Sequence, residues 1–477
     1  MPWFHGSLVL EWEDPFADGI PKWGGTSTLG VDWFDSSRPI VYTSSKGATL
    51  DPDTIGICMN NAWYAASTEG GTYAVYADET DDHRIHLVER QLFSWPGDPM
   101  ATDAWPVIYT GEHGSFDYSG HPLGYPCLAV KRSQENGLAS FALAWRGKTH
   151  RELWAAHGTL AGGWEEVNVA AGLGRIERFC IAMDDSLNTW LVFTASDGGN
   201  QRIYISIRRS GGTWSDPRVL SSTDDYTEDG DTYEFNSVDF PTVAVSSDED
   251  PSGPTVLVAW VVTYRDGRRK RVLGRSARVS DVLFAEWSIP IAFGEEVDVG
   301  GLGECWDPCV AATRDGTFVV AYTSPFKNPK IRVRYTEDPV RGTWSRPVEV
   351  CPIPTVEDLA VTQGVQNFAS LSIDEASGRC FVCWEDTWGP VQKFVATSNG
   401  AVAALTDLDT WTPLGILTGH DVPAEPEGGR EEDPEIVKQE STRYPCVVAS
   451  AGRPQVFYRA VNDSMATELV LRRGRWT

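Results

Sequence analysis

Three side chains in the first third of this chain, a histidine, a tyrosine and an arginine, could act together on one sugar ring. They are His83 in YAVYADETDDHRIHLV, Tyr125 in GYPCLAV and Arg146 in FALAWRG. An arginine can neutralise the carboxylate of a uronic acid, which makes the proton on the adjacent carbon more acidic. A histidine or tyrosine can remove that proton while the other protonates the leaving oxygen. The set predicts β-elimination from a uronic acid.

A repeated tryptophan indicates which elements would have to position these side chains. Segments such as SGGTWSDP and RGTWSRP recur along the 477 residues, and their tryptophans are Trp105, Trp164, Trp214, Trp287, Trp344, Trp411 and Trp476. Each interval has room for four short strands and their turns, and such a period is typical of a β-propeller. We therefore predict an all-β fold, a seven-bladed β-propeller with four-stranded blades, forming one domain over residues 1–477.

A second repeat predicts the first strand of each blade. It reads GYPCLAV (124–130), RFCIAM (178–183), DFPTVAV (239–245), WDPCVAA (306–312), NFASLSI (367–373) and RYPCVVA (443–449), with NNAWYAAS (60–67) as a diverged copy. Alternating apolar residues with β-branched or aromatic content indicate strands. Cysteines recur at one position of this repeat, where a small apolar side chain suits a crowded strand, so we expect structural thiols.

The two ends of the chain predict how the ring closes. The sequence ends at Thr477, one residue after Trp476, so we expect the strand that follows the other tryptophans to come from elsewhere in the chain. The segment SSRPIVYTSS (36–45) resembles that strand, and a propeller must avoid an exposed strand edge. We expect residues 1–50 to supply the outer strand of the last blade, and residues 421–440 to form a charged loop insertion.

Composition excludes some classes of partner. The net charge of −27 disfavours nucleic-acid binding, which needs clustered lysine and arginine. No transmembrane span is present, and the N-terminus lacks the basic and apolar regions of a signal peptide. We expect a monomer. The compartment stays open, since an extracellular protein whose signal was removed would look the same.

In a propeller, the starts of the first strands and the loops between second and third strands converge on one face. We predict substrate-binding residues there, namely Asn61, His121, Arg178, Asp239, Glu304, Trp306, Asp307, Asn367, Glu385 and Arg443. These positions differ from blade to blade while the strand cores repeat. Such asymmetry favours one site, and hence an enzyme, over a lectin that repeats its site in every blade.

The blade motifs SGGTWSDP and GTWSRP resemble those of bacterial neuraminidase-repeat propellers in the sialidase superfamily. Within that group, YAVYADETDDH, GYPCLAV and ALAWRG resemble successive landmarks of the ulvan lyases and the related rhamnose–glucuronate lyases. The resemblance implies a seven-bladed polysaccharide lyase acting on an acidic poly- or oligosaccharide, with elimination carried by His83, Tyr125 and Arg146. The family usually has a further histidine where this chain has Asn60 and Asn61.

Two other functions fit the same face. A glycoside hydrolase could use two carboxylates, Asp239 with Asp307 or Glu304 with Glu385. A sialidase-like arginine triad could come from Arg178, Arg265 and Arg443. A lectin could stack sugars on aromatic loops such as ECWDP and WEDTWGP.

No cofactor is required for any of these functions, and we predict no metal ligand. The acidic segment STDDYTEDGDTYE (222–234) could hold a structural calcium ion. Its spacing does not match an EF-hand loop, which favours a solvated insertion.

Overall fold

The computed structural model describes most strands of the chain and the turns between many of them. The described ranges are 31–34, 40–47, 57–58, 64–68, 71–78, 84–91, 106–112, 126–133, 137–228, 230–265, 269–284, 293–300, 304–324, 329–350, 365–374, 378–388, 392–402, 411–416, 443–450, 453–461 and 466–476. The predicted insertion at 421–440 lies outside them. Among the described residues, no helix has the length and hydrophobicity needed to cross a membrane.

Strands account for nearly all of the regular structure. In chain order they are β1 (Val31–Phe34), β2 (Ile40–Gly47), β3 (Ile57–Cys58), β4 (Ala65–Thr68), β5 (Gly71–Asp78), β6 (Arg84–Gln91), β7 (Val107–Thr110), β8 (Cys127–Arg132), β9 (Ala139–Arg146), β10 (Leu153–Thr159), β11 (Gly162–Asn168), β12 (Ile176–Met183), β13 (Thr189–Asp197), β14 (Asn200–Arg208), β15 (Arg218–Val219), β16 (Tyr226–Glu228), β17 (Asp231–Tyr233), β18 (Phe235–Val245), β19 (Thr255–Tyr264), β20 (Lys270–Arg278), β21 (Val297–Asp298), β22 (Trp306–Ala312), β23 (Phe318–Ser324), β24 (Lys330–Thr336), β25 (Val348–Glu349), β26 (Val365–Asp374), β27 (Arg379–Trp388), β28 (Gln392–Ala401), β29 (Thr412–Ile416), β30 (Arg443–Ser450), β31 (Arg453–Val461) and β32 (Ala466–Trp476). A single short helix, α1 (Val279–Phe284), follows β20 in the described part of the chain.

The strands form antiparallel sheets wound in sequence order. Five sheets have four strands each, which are β8–β11, β12–β15, β18–β21, β22–β25 and β26–β29. A sheet before them contains β3 to β7, and a sheet after them contains β30, β31 and β32. Both β1 and β2 pair antiparallel with β32. The all-β propeller with four-stranded blades is confirmed, while the count of seven blades and closure by residues 1–50 remain predictions.

The two sequence repeats fall where strands begin. Six copies of the second repeat form the first strands β8, β12, β18, β22, β26 and β30. Trp214, Trp344 and Trp411 come just before the fourth strands β15, β25 and β29. The described residues of the segment 222–234 are mostly exposed, and they form the hairpin β16–β17, on which Tyr226 stacks with Tyr233 at a centroid distance of 6.2 Å.

Large aromatic side chains on the second strands hold neighbouring blades together. Trp145, Trp260 and Trp384 are fully or almost fully buried on β9, β19 and β27. Trp260 packs with residues of both the β12–β15 and β18–β21 blades. Seven cysteines with described side chains are buried thiols outside any disulfide, as expected for structural thiols. Burial of such large apolar side chains is the main force that holds the blades together.

A repeated β-bulge in the first strands positions side chains at one end of the propeller. The register shifts between Asp239 and Thr242 in β18, and at the matching places in β12, β22, β26 and β30. Among the described residues, four non-glycine residues have positive φ, and three of them occupy this bulge: Phe240 (55°), Asp307 (52°) and Phe368 (55°). Such backbone costs energy and is concentrated at functional sites.

One histidine should make stability depend on pH. Burial, together with a smaller effect of the positive charge of Arg208, lowers the pKa of His157 to about 4. The unfolded chain then binds more protons below about pH 6.5, so this residue destabilises the fold as pH falls from about 6.5 to about 4. Because the ring is only part-buried, we expect a loss of about 1 kcal/mol. Urea unfolding at pH 4.5 and pH 7 should show that His157→Gln loses less stability at the lower pH than wild type does. An equal loss in the two proteins would contradict this role of His157.

Candidate functional site

The structure describes only part of the predicted catalytic trio. His83 and Tyr125 lie outside the described residues, as do Asn61 and His121. Arg443 begins β30, where its Cα pairs with that of Arg459. The elimination trio therefore remains a prediction, and Arg146 is its one described member.

Arg146 ends β9 and is only 1% exposed. Its Nη1 donates to the carbonyl oxygen of Ile176 at 3.2 Å, which ties the second strand of one blade to the first strand of the next. Burial lowers the pKa of His150, and the positive charges of Arg146 and Arg175 lower it further. A neutral imidazole near two arginines is able to act as a base.

Arg178 and Asp239 form the exposed part of a charged cluster across two blades. The Arg178 Nε lies 3.3 Å from Asp239 Oδ2, with the two side chains 20% and 27% exposed. Thr194 Oγ1 donates to Asp239 Oδ1 at 3.2 Å. The guanidinium carbon of Arg178 lies 3.4 Å from the centroid of the Phe240 ring. The carboxylate and the guanidinium are thus both fixed by neighbouring side chains.

Asp307 lies beside this pair in the following blade and is 7% exposed. Burial raises its pKa to about 6; the negative charge of Asp239 adds to the rise, while Arg178 and Lys270 oppose it. Its Oδ1 is buried and has no hydrogen-bond partner among the described residues. A buried carboxyl with a raised pKa is suited to donate a proton near neutral pH.

Glu177 and Arg175 also belong to the cluster. Burial raises the pKa of Glu177, and the charge of Asp239 adds to the rise, while Arg175, Arg146 and Arg178 oppose it. Arg175 Nε is 2.5 Å from Glu177 Oε1. Neither Glu177 nor Lys270 is among the substrate-binding residues named above. Glu177 stands next to Arg178 in the repeat, at the face where the sequence predicts the site, whereas Lys270 belongs to the basic run YRDGRRKRV (264–272), which by itself predicts a solvated hairpin tip.

The other predicted residues occupy neighbouring first and second strands. Asn367 in β26 pairs with Glu385 in β27, and Glu385 is 2% exposed. Glu304 and Trp306 are half-buried at the start of β22, just before Asp307. In the predicted carboxylate pair Asp239 and Asp307, the negative charge of Asp239 contributes to the raised pKa of Asp307.

The predicted arginine triad is not assembled around Arg178. Arg265 is 70% exposed and forms an ion pair with Glu234 beyond the end of β19. The register pairs Asp239 with Val261, so Arg265 lies four residues, roughly 13 Å, further along that strand. Arg265 therefore pairs with Glu234 at the edge of the blade and lies away from Arg178 and Asp239.

The cluster carries a local positive excess in an acidic protein. Four cations, Arg146, Arg175, Arg178 and Lys270, surround three carboxyls, Glu177, Asp239 and Asp307. With every group ionised the excess is one positive charge, and it rises to two when Asp307 is protonated. The chain as a whole has a charge of −27. An anionic ligand would therefore be attracted to this place rather than to the surrounding surface.

Within the described ranges, no group of three or more His, Cys, Asp or Glu side chains is arranged to hold a metal ion. Two acids of 222–234 have other partners, since Glu234 forms an ion pair with Arg265 and Asp225 bonds to the backbone. Asp225 accepts a hydrogen bond from the backbone N–H of Phe235 at 2.8 Å. Structural calcium in this segment remains untested.

No family model matches the chain, and no curated protein matches it. Solved structures with a similar fold include a protein of unknown function from Dyadobacter fermentans, 12% identical over 74% of this chain and 94% of that chain, with a TM-score of 0.44. They also include the Trypanosoma rangeli sialidase in complex with the inhibitor DANA, which is 11% identical over 77% of this chain and 56% of that chain, with a TM-score of 0.42. The polysaccharide lyase Uly1 is 8% identical over 91% of this chain and 92% of that chain, with a TM-score of 0.45. At such similarity, what the chain does has to follow from the chemistry of its own residues.

Proposed function

We propose that this propeller is a carbohydrate-active enzyme that cleaves glycosidic bonds of an acidic glycan by acid–base catalysis. The observation that carries this proposal is the carboxyl of Asp307, which is buried, has a pKa raised to about 6 and lies next to the Arg178–Asp239 ion pair. Two carboxyl groups in such different surroundings suit the two roles that glycoside hydrolysis needs.

In this proposal Asp307 protonates the leaving glycosidic oxygen. Asp239, held by Arg178 and Thr194, acts as the carboxylate that activates water or attacks the sugar. A separation of about 5 Å between the two carboxyls favours a covalent intermediate, and about 6.5–9.5 Å favours direct attack by water. Asp239 is part-exposed and Asp307 is buried, so the two carboxyls would lie at different depths beside the glycosidic bond.

The glycan class rests on two supports. The blade motifs resemble those of glycan-degrading propellers, and the positive excess around Arg178 suits a carboxylate-bearing sugar. Neutralising that carboxylate would also bring the substrate close to Asp239, which would otherwise repel it.

Elimination is the second candidate, and the neighbourhood of Arg146 favours it. His150 is kept neutral beside Arg146 and Arg175, so it could remove a proton from a uronic acid whose carboxylate those arginines neutralise. Here His150 would join or replace His83 as the base. Because Arg146 is buried, a substrate carboxylate would have to reach it through a movement of the residues around it.

Two readouts on a panel of uronic-acid polysaccharides separate these reactions. New reducing ends without ultraviolet absorbance from an unsaturated product would support hydrolysis by Asp307 and Asp239. Reducing ends that rise together with that absorbance would support elimination. Binding without either signal would leave a lectin and contradict the proposed enzyme.

We also propose that the ring has seven blades and that residues 1–50 close it. The pairing of β1 and β2 with β32 supports this, with Val31 opposite Trp476 and Ile40 opposite Val470. First strands contact one another in order, and β30 contacts β4. We expect deletion of residues 31–47 to lower the unfolding temperature by several degrees, because it exposes the edge of β32. Unchanged unfolding in calorimetry would contradict closure by this segment.

A further inference from the structure

Arg178 is held from two sides by consecutive residues of the neighbouring blade. Asp239 provides the ion pair at 3.3 Å, and Phe240 provides a ring 3.4 Å from the guanidinium carbon. Consecutive residues of a regular strand point to opposite faces, so they could not both contact one side chain. The bulge between Asp239 and Thr242, with Phe240 at a φ of 55°, makes this double contact possible.

That backbone conformation has an energetic cost. A non-glycine residue is disfavoured in the left-handed region, because its Cβ crowds the backbone. Phenylalanine has no side-chain polar group to compensate by local hydrogen bonding, as asparagine or aspartate would. The conformation recurs at Phe368 in the same bulge of another blade, so it belongs to the repeat, and in β18 it places the ring against Arg178.

The guanidinium retains donors for a ligand. Arginine has five N–H donors, and Asp239 lies at the Nε side. No hydrogen bond from Arg178 to another residue is present in the described ranges, and its side chain is 20% exposed. Such a fixed, planar group suits bidentate binding of a carboxylate.

We infer that Phe240 is a positioning residue whose ring holds Arg178 as the receptor for a carboxylate of the ligand. This inference rests on the proposed function in one respect, that the ligand is an acidic glycan. Phe240 itself touches neither the substrate nor the reacting bond. It acts by limiting the guanidinium to the orientation in which the terminal nitrogens meet the carboxylate.

The test compares Phe240→Leu with Phe240→Tyr on a uronic-acid polysaccharide that the wild-type protein cleaves. We expect Phe240→Leu to raise KM about tenfold and to lower kcat by a smaller factor, since Arg178 also holds Asp239, whereas Phe240→Tyr restores KM. The carboxyl-reduced form of the same polymer should bind wild type and Phe240→Leu equally weakly in calorimetry. A matched control is Trp344→Leu, which removes the contact of Arg334 with an aromatic ring outside the cluster (6.0 Å) and should leave KM unchanged.

The outcomes separate the inference from the function on which it rests. A wild-type protein that neither binds nor cleaves any acidic glycan would contradict the proposed function. A wild-type protein that cleaves, with Phe240→Leu showing an unchanged KM, would overturn the role of Phe240 alone. A parallel loss of kcat and binding by Phe240→Leu and Phe240→Tyr, with lowered thermal stability, would assign the ring a purely structural role and also overturn it.

Discussion

Asp307→Asn should lower kcat by about a hundredfold to ten-thousandfold while the protein remains folded. The amide has almost the size of the carboxyl, and asparagine is among the residues that tolerate the φ of 52° found here. It cannot give up a proton to a leaving oxygen at neutral pH. Steady-state kinetics on a cleaved glycan measure the effect. Asp315→Asn, in the exposed turn at the other end of the same blade, is the control and should retain full activity.

The same substitution should stabilise the protein at high pH. Burial raises the pKa of Asp307 from 3.8 to about 6, so the folded state binds more protons than the unfolded state between those values. The stability contributed by the neutral form is therefore complete below about pH 4 and lost as pH rises through about 6. Above pH 7, Asp307→Asn should exceed wild type by about 2–3 kcal/mol.

Urea unfolding at pH 4 and pH 8 tests that expectation. The two proteins should have similar stability at pH 4 and differ at pH 8. Since His157 has the opposite dependence over much of the same range, each variant has to be compared with wild type rather than judged from the wild-type curve. An Asp307→Asn protein that is less stable than wild type at pH 8, or one that keeps more than a tenth of the wild-type kcat, would contradict the role given to this carboxyl.

Trp260→Ala should destabilise the protein by about 3–5 kcal/mol. The indole is fully buried and packs with residues of two blades, so truncation leaves a cavity that rigid sheets close poorly. Trp260→Phe should lower the free energy of unfolding much less. It fills most of the space, and it removes a buried Nε1–H that has no hydrogen-bond partner among the described residues.

Equilibrium unfolding of the two variants measures that difference. Val340→Ala, at a side chain that is 44% exposed, is the control and should change the free energy of unfolding by less than about 0.5 kcal/mol. If Trp260→Ala cost no more than Trp260→Phe, the two blades would not depend on this indole for their packing.

The strand order could be predicted from the sequence because two repeats mark it. Segments such as DFPTVAV and WDPCVAA predict first strands that the structure places at β18 and β22. The hairpin β16–β17 could not be predicted, since acidic residues with glycine also suit a solvated loop. Its two strands are favoured by tertiary contacts, including the guanidinium of Arg271, 3.9 Å from the Tyr226 ring centroid.

The candidate site was only partly predictable, for a physical reason. Sequence position identified Arg178, Asp239 and Asp307 as neighbours, because equivalent repeat positions meet at one face. It could not show that Asp307 is buried or that Phe240 supports Arg178, since both depend on the bulge and on the positive φ it contains. Lys270 influences Asp307 from a third strand, and no repeat position indicates that contact.

Direct titration of Asp307 tests the central claim most directly. Isotope-edited NMR of aspartate-labelled protein, with Asp307→Asn to assign the signal, gives the pKa of this carboxyl, and kcat/KM is followed over the same pH range. We predict a midpoint near pH 6 in the carboxyl signal and a loss of activity as pH rises through that midpoint. A carboxyl that titrates near 4, or activity that does not change around pH 6, would contradict Asp307 as the proton donor.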